Sequence, residues 1–317
     1  MRIRVLNPLS GGLGHYTDAL VQMLQACEVD VDVVEIPEPI VSGKSRLQWL
    51  ADYGHAIFQQ RHADVDETIA TWATVGYLDY PALRLVGGIK SPLIVMHDPE
   101  PLVYARGYGN LARRAALAPL IRSRAIVHSE AARRALAETL PVNSRLLPLP
   151  MGTPTERTPP SSPIVRVVGQ YKPSRDLDVL RTLRREGPED WAYEIIGRGW
   201  PDVEGWSVHD AFLSEADFTA AVITSSVVLI PYRSFFQSDV ALRCLELGVP
   251  FVGPARTSLE DLVGSDVGWL ANSRESWLPA VRAAVATPPL QVHSVAAETR
   301  NRAERGWRAW LESHDTS

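Results

Sequence analysis

Short apolar runs alternate with amphipathic stretches along almost the whole chain. In the first half the strand-like runs cover residues 2–7, 29–36, 67–73, 92–97, 124–128 and 144–149. Helical spacing of apolar positions falls between several of them, over 15–27, 110–121 and 130–140. This alternation predicts parallel sheets built from right-handed βαβ units. It breaks once, at Pro148-Leu149-Pro150-Met151-Gly152-Thr153-Pro154 and Thr158-Pro159-Pro160-Ser161-Ser162-Pro163, where Pro, Ser and Thr mark a linker. After it the pattern restarts, with strands expected at 164–168, 193–196, 227–230, 250–252 and 267–270. Helices are expected at 174–184, 214–224, 238–247 and 274–286, and a charged helix with Trp307 and Trp310 over 295–312. The expected fold is α/β, with two Rossmann-like domains of parallel sheets. Residues 1–150 form the first and 164–294 the second, with a linker over 151–163 and a terminal helical segment over 295–317.

Composition fits this picture. A chain of 317 residues is long for one core and suits two. Apolar content of 45% and charged content of 22% are ordinary for a globular enzyme, and a net charge of −5 gives no basic field for nucleic acid. Cys27 and Cys244 fall in different expected domains. Neither a disulfide framework nor a cysteine-built zinc site is expected, and the cytoplasm is the default compartment. The chain opens on a strand, so no secretory leader is expected, and no apolar run approaches the ~20 residues that span a bilayer.

Candidate chemistry lies where strands end. Gly11-Gly12-Leu13-Gly14-His15-Tyr16 follows the first strand and opens a helix. Glycines there let the backbone approach a ligand closely, although an ordinary tight βα turn has the same residues. His97 stands at the tip of its strand, where an imidazole either projects into a cleft or caps the next turn with Asp98. Ser129 is placed to cap the helix after it, and the neighbouring His128 either lines a cleft or bonds locally.

The second half offers a cationic loop and a helix N-terminus. Gly169-Gln170-Tyr171-Lys172-Pro173-Ser174-Arg175 follows the strand that opens this half, so Lys172 and Arg175 read either as anion ligands or as a solvated basic turn. Arg198, in Gly197-Arg198-Gly199, follows the next strand and is either an anion ligand or a surface arginine. Ser238-Asp239-Val240 begins a helix after a strand, which offers backbone N–H groups to a phosphate or is plain N-capping. No cluster of His, Cys and carboxylates suggests a metal, and no cofactor is expected.

The order of these segments, above all the loop and helix from Phe235 followed by Gly248-Val249-Pro250 and a buried strand, resembles GT-B glycosyltransferases of family 4. The resemblance covers most of the chain. It implies sheets facing an interdomain cleft, a last helix returning to the first domain, and transfer of a hexosyl group from a nucleoside-diphosphate sugar to an acceptor hydroxyl with retention and no metal. It places His97 at the transferred sugar, Lys172 and Arg175 on the diphosphate, and Gly11, Gly14, His15 and Tyr16 on the acceptor side. Donor binding falls to Gly12, Gly169, Arg198, Ser238, Asp239, Val240 and Glu246. A UDP-sugar is the first donor expectation and a GDP-sugar the second; the acceptor is unassigned. The chain departs from the family at one point. Where the family carries two glutamates separated by seven residues, the second holding the ribose, this sequence has Phe235 and Arg243. A nucleotide-sugar epimerase and a non-catalytic nucleotide-sugar binder therefore stay open. The arginine-rich stretch from Arg106 to Arg134 is similar to lipid-docking patches of membrane-associated members, and equally to a solvated face. Peripheral contact with the inner membrane face is thus an additional expectation.

Overall fold

The structure, a computed structural model, describes residues 1–100 and 106–315; the last two residues of the expected terminal segment lie outside the described residues. The chain divides into two compact units. One holds Met1–Gly152 together with the chain from Ala303 onward, the other Thr153–Arg302.

Unit 1 runs β1 (Arg2–Asn7), α1 (Gly14–Ala26), β2 (Asp30–Glu35), α2 (Pro39–Ser42), α3 (Arg46–Gln59) and β3 (Glu67–Ala70). It continues with α4 (Asp79–Pro81), β4 (Leu93–Val95), α5 (Asn110–Ala116), β5 (Arg124–Val127), α6 (Glu130–Thr139) and β6 (Asn143–Leu146). The strands pair in parallel in the order β2-β1-β3-β4-β5-β6. The central strands are covered on both faces, so they read as apolar runs rather than alternations. Ile3, Val5, Leu6, Ile69, Ile94 and Ile126 are all 0% exposed. Helix α5 stops at Ala116, short of the expected 121, because Pro119 lacks an N–H and disfavours helical backbone before it. Helix α3, absent from the expected elements, starts with a capping box: the Ser45 hydroxyl accepts from the Gln48 N–H while the Gln48 side chain accepts from the Ser45 N–H.

Unit 2 runs β7 (Ile164–Val168), α7 (Leu177–Glu186), β8 (Ala192–Ile196), β9 (Ser207–His209), α8 (Glu215–Ile223) and β10 (Val227–Leu229). Then follow α9 (Asp239–Glu246), β11 (Phe251–Pro254), α10 (Ser258–Val263), β12 (Leu270–Ala271) and α11 (Trp277–Ala286). Its sheet is parallel in the order β12-β11-β10-β7-β8-β9. Read from its far edge, this is the doubly wound order of a dinucleotide-binding fold, with the topological switch between β7 and β10. In unit 1 the corresponding switch lies between β1 and β3. Both switch points matter, because crevices outside strand C-termini open where the winding reverses.

Helix α12 (Pro289–Asp315) begins in unit 2 and belongs from Ala303 onward to unit 1. There Trp307 is 0% exposed and its indole N–H donates to the Pro148 carbonyl at 3.0 Å. Among the described residues no helix is long and apolar enough to cross a membrane.

Candidate active site

At the switch point of unit 1 the loop after β1 is fixed by its own side chains. The Asn7 side-chain oxygen accepts from the Leu9 N–H at 3.1 Å, and the Gly11 N–H donates to the Glu38 carboxylate at 2.9 Å. Gly11 and Gly12 are exposed, Gly14 opens α1, and His15 and Tyr16 lie in its first turn. Tyr16 points inward and is buried.

Tyr16 joins His97 and His128 in one buried cluster. The His97 ring meets the Tyr16 ring edge-on at 4.6 Å between centroids and stacks on Trp72 at 5.6 Å. The His97 Nε2–H donates to the Thr71 carbonyl at 3.0 Å, since a carbonyl only accepts. By the same rule His128 Nδ1–H donates to the Leu147 carbonyl at 2.8 Å. The second ring nitrogen of His128 then accepts from the Tyr16 hydroxyl, also at 2.8 Å. Burial and the neighbouring His97 push the His128 pKa down to about 3, so the ring stays neutral, while burial raises that of Tyr16 and keeps its proton in place. His97 itself is only 4% exposed. The hollow beside it, lined by Trp72, Met96, Asp98 and Tyr108 among others, holds about 10 Å³, room for about one water. Ser129 caps α6, its hydroxyl accepting from the Ala132 N–H at 3.0 Å. Trp72 and the contact of Trp307 with His128, at 6.5 Å between centroids, complete a cluster of which the sequence flagged the histidines and Tyr16.

A second buried group lies close by. Asp79 is 0% exposed; one carboxylate oxygen accepts from the Tyr53 hydroxyl and the other from the Val75 N–H, both at 2.8 Å. It thereby holds the loop that leaves β3. Desolvation raises its pKa to about 7, against the lowering effect of those donors.

At the switch point of unit 2 the loops after β7, β8 and β10 lock together. Gly169 has φ +100°, a conformation that side chains strain to adopt. A Cβ on Gly197 would sit 2.2 Å from the Gly169 carbonyl, so the loops after β7 and β8 touch backbone to backbone. The Trp200 indole N–H adds a bond to that carbonyl at 2.8 Å. Arg175 forms an isolated antiparallel bridge with Tyr232, in the loop after β10.

The two expected cations of this loop have different surroundings. Lys172 is exposed. Arg175 is 3% exposed, and its guanidinium donates to the carbonyls of Val168 and Gln170, each at 3.2 Å. It lies over the Trp200 and Tyr232 rings at 4.9 and 4.4 Å, and burial lowers its pKa. Helix α7 consequently starts at Leu177, three residues beyond the expected position, with Asp176 as its cap.

Helix α9 starts in the loop after β10. The Ser238 hydroxyl accepts from the Ala241 N–H at 3.2 Å, which fixes the first turn containing Asp239 and Val240. Asp239 is exposed, and a first helical turn directs its N–H groups outward. Arg198 is exposed 6.0 Å from the ring of Phe212, itself 71% exposed. Arg243, at the position where the family holds ribose, turns to α8: it donates to the Glu215 carboxylate at 2.7 Å and the Thr219 hydroxyl at 2.8 Å. Glu246 is buried in the last turn of α9, 3.8 Å from Arg243. Among the described residues no three His, Cys, Asp or Glu side chains are placed to hold a metal ion.

No family model and no curated protein matches this sequence. Solved structures do match its fold. Sucrose-phosphate synthase from Thermosynechococcus elongatus superposes with a TM-score of 0.64 at 15% identity, over 98% of this chain and 96% of that one. Anabaena HepE, in complex with UDP and glucose, gives 0.62 at 14% identity over 100% of both chains. An E. coli trehalose-6-phosphate protein, bound with UDP-2-fluoro glucose, gives 0.63 at 10% identity over 99% and 98%. The fold is therefore the GT-B fold that the sequence led us to expect; these likenesses do not single out family 4.

Proposed function

We propose that the chain is a retaining glycosyltransferase of hexosyl type. It moves a sugar from a nucleoside-diphosphate sugar to an acceptor hydroxyl. The observation that supports this most is the array at the β7/β10 switch point, where exposed Lys172, the buried Arg175 charge and the first turn of α9 stand at the ends of neighbouring strands. Positive potential there stabilises a departing diphosphate without a metal. Lys172 meets the diphosphate directly, Arg175 shapes the loop and adds its charge from beneath, and Ser238, Asp239 and Val240 contribute through backbone. Gly169 allows close approach, Arg198 lies toward the base, and Gly12 borders the donor. In unit 1, His97 contacts the transferred sugar, while Gly11, Gly14, His15 and Tyr16 lie on the acceptor side. UDP is the first candidate nucleotide, because structures of similar fold hold UDP or a UDP-sugar analogue, and GDP the second. The enzyme works in the cytoplasm in this reading.

A thermal-shift panel of UDP, GDP, ADP, dTDP and their sugars tests the donor. A ligand at 100 times its Kd stabilises the fold by about 2.7 kcal/mol. No shift with any nucleotide would remove the donor site. Lys172→Ala is expected to weaken nucleoside-diphosphate binding about tenfold, the worth of one charge-assisted bond, and to leave the bare nucleoside unaffected. Equal losses for both ligands in titration calorimetry would show that Lys172 does not meet the diphosphate. His97→Ala is expected to lower turnover with little change in binding of the nucleoside diphosphate; full activity would return His97 to a structural role.

A binding protein without turnover is the second reading. It is favoured by Arg243, which is occupied by Glu215 and Thr219 where the family uses a carboxylate. Glu246 does not replace that carboxylate, because it lies buried at the far end of the same short helix.

A further inference from the structure

Two residues of the linker segment fasten it to unit 2. Thr155 donates through its backbone N–H and its hydroxyl to the Glu246 carbonyl, at 2.8 and 2.9 Å. Arg157 donates from Nε to the Gly248 carbonyl at 2.9 Å, and from Nη1 to the Ile223 and Ser225 carbonyls at 2.8 and 2.5 Å. These carbonyls lie at or just beyond the C-terminal ends of α8 and α9, where a last helical turn has no donors of its own. Gly248 permits the close approach. Its φ is +65°, and a Cβ there would meet the Thr155 carbonyl oxygen at 2.7 Å.

Arg157 also lines a cavity of about 200 Å³. Pro163, Ser226 and Pro250 line it from just before β7, β10 and β11, and Val285 and Val292 from α11 and α12. The cavity therefore lies at the N-terminal end of the unit 2 strands, the end opposite to Gly169 and Lys172. Its charge has one sign, since Arg157 is charged and no Asp or Glu is among the lining residues. Carbonyls occupy Nε and Nη1 of Arg157, while Nη2 has no acceptor among the described residues. Burial lowers the Arg157 pKa, yet a guanidinium keeps its charge. A cation partly removed from water attracts an anion more strongly than a solvated one does. The cavity offers it a single charge. A monoanion is matched there, whereas a phosphate dianion would carry a second charge into a site with no second cation. The prolines and valines call for an apolar body on that anion. An apolar cavity of about 150 Å³ holds benzene, so there is room here for one ring or a short chain beside a carboxylate.

We propose that this cavity is a binding site for a small monocarboxylate with a compact apolar body. The carboxylate accepts from the Nη2–H of Arg157, and the body lies against Pro163, Val285 and Val292. The bound molecule adds a tie between the linker and the ends of α8 and α9 that Arg157 already joins. The site proposed for the donor diphosphate is at the other end of the same sheet, and the inference does not depend on what that site does.

Benzoate is the probe, with benzyl alcohol as its neutral counterpart and inorganic phosphate as an anion without an apolar body. The indole N–H of Trp269 reports the site locally, because it donates at 3.0 Å to the hydroxyl of Thr287, a lining residue. In ¹⁵N NMR titrations of the whole chain, benzoate is expected to move the Trp269 indole signal saturably and more than the other indole signals. Its affinity should exceed that of benzyl alcohol about tenfold, the worth of one charge-assisted bond. Val285→Phe, at a half-buried lining position, fills the cavity and leaves the Arg157 bonds in place; the folded variant should lose benzoate binding. The proposal is overturned if benzoate gives no saturable movement, if benzyl alcohol or phosphate binds as tightly, or if folded Val285→Phe binds like the parent. The comparison of the three probes uses the parent protein, so it decides the matter even where the variant misfolds.

Discussion

Replacing Asp79 with asparagine is expected to give the protein a steep pH dependence of stability that the parent lacks. The folded-state pKa of Asp79 is about 7 against an ordinary 3.8, so between these values the folded chain keeps a proton that the unfolded chain has lost. That contribution makes stability fall as pH rises. His128 acts in the opposite sense. Its folded pKa of about 3 lies below an ordinary 6.5, so over nearly the same interval the unfolded chain holds a proton that the folded chain lacks, and stability rises with pH. With both groups present the proton counts match, and the parent profile from about pH 4.5 to 6.5 is flat. Asp79→Asn leaves His128 unopposed, and stability should climb by about 1.4 kcal/mol per pH unit across that window. His128→Gln should show the mirror image, with stability declining as pH rises. Urea unfolding at several pH values reads both slopes. A parent with a steep slope of either sign, or an Asp79→Asn variant as flat as the parent, would contradict the paired assignment.

Arg175→Ala is expected to destabilise unit 2 by about 3 kcal/mol. The substitution takes a buried guanidinium from between Trp200 and Tyr232 and leaves the Val168 and Gln170 carbonyls without that donor. Each lost bond to a charged group and each lost ring contact costs on the order of 1 kcal/mol or more. Arg175→Lys should recover only part of this, because an ammonium has no planar face to lie between two rings. Lys172→Ala, three residues away and exposed, should change stability by less than about 0.5 kcal/mol. Urea titration followed by tryptophan fluorescence separates the two positions. If Arg175→Ala were as stable as the parent but failed to bind nucleotide, the guanidinium would be a ligand contact rather than the joint between loops.

Much of the fold was legible from the chain, because parallel strands covered on both faces are written as apolar runs. Strand β7 occupies the expected 164–168 without adjustment. Ser129 acts as the expected cap because capping is a contact across three residues, visible in local sequence. Helix α3 was overlooked because its apolar residues are poorly separated: Leu47, Leu50 and Phe58 face solvent while Tyr53, Ala56 and Ile57 are buried. Its Ser45 and Gln48 box was the available signal. The site was harder to read, since its side chains are fixed by distant partners. Arg175 at the mouth of a helix reads as an anion ligand or as part of a solvated basic turn, and nothing local shows that Trp200 and Tyr232 arrive from other strand ends to enclose it. His128 reads as a local residue, yet its hydroxyl partner is Tyr16, 112 residues earlier. Asp79 gives no sign of burial in its own segment; Tyr53, 26 residues before it, helps to hold it.

Product analysis by NMR tests the central claim most directly. The protein is incubated with the nucleotide sugar selected by thermal shift and a pool of hydroxylated acceptors, and the sugar anomeric signals are followed. Sugar transfer predicts free nucleoside diphosphate appearing together with a glycoside that has kept the donor's anomeric configuration. An isomeric nucleotide sugar would make the protein an epimerase, and a bound donor that never turns over would make it a binding protein; either result contradicts the account.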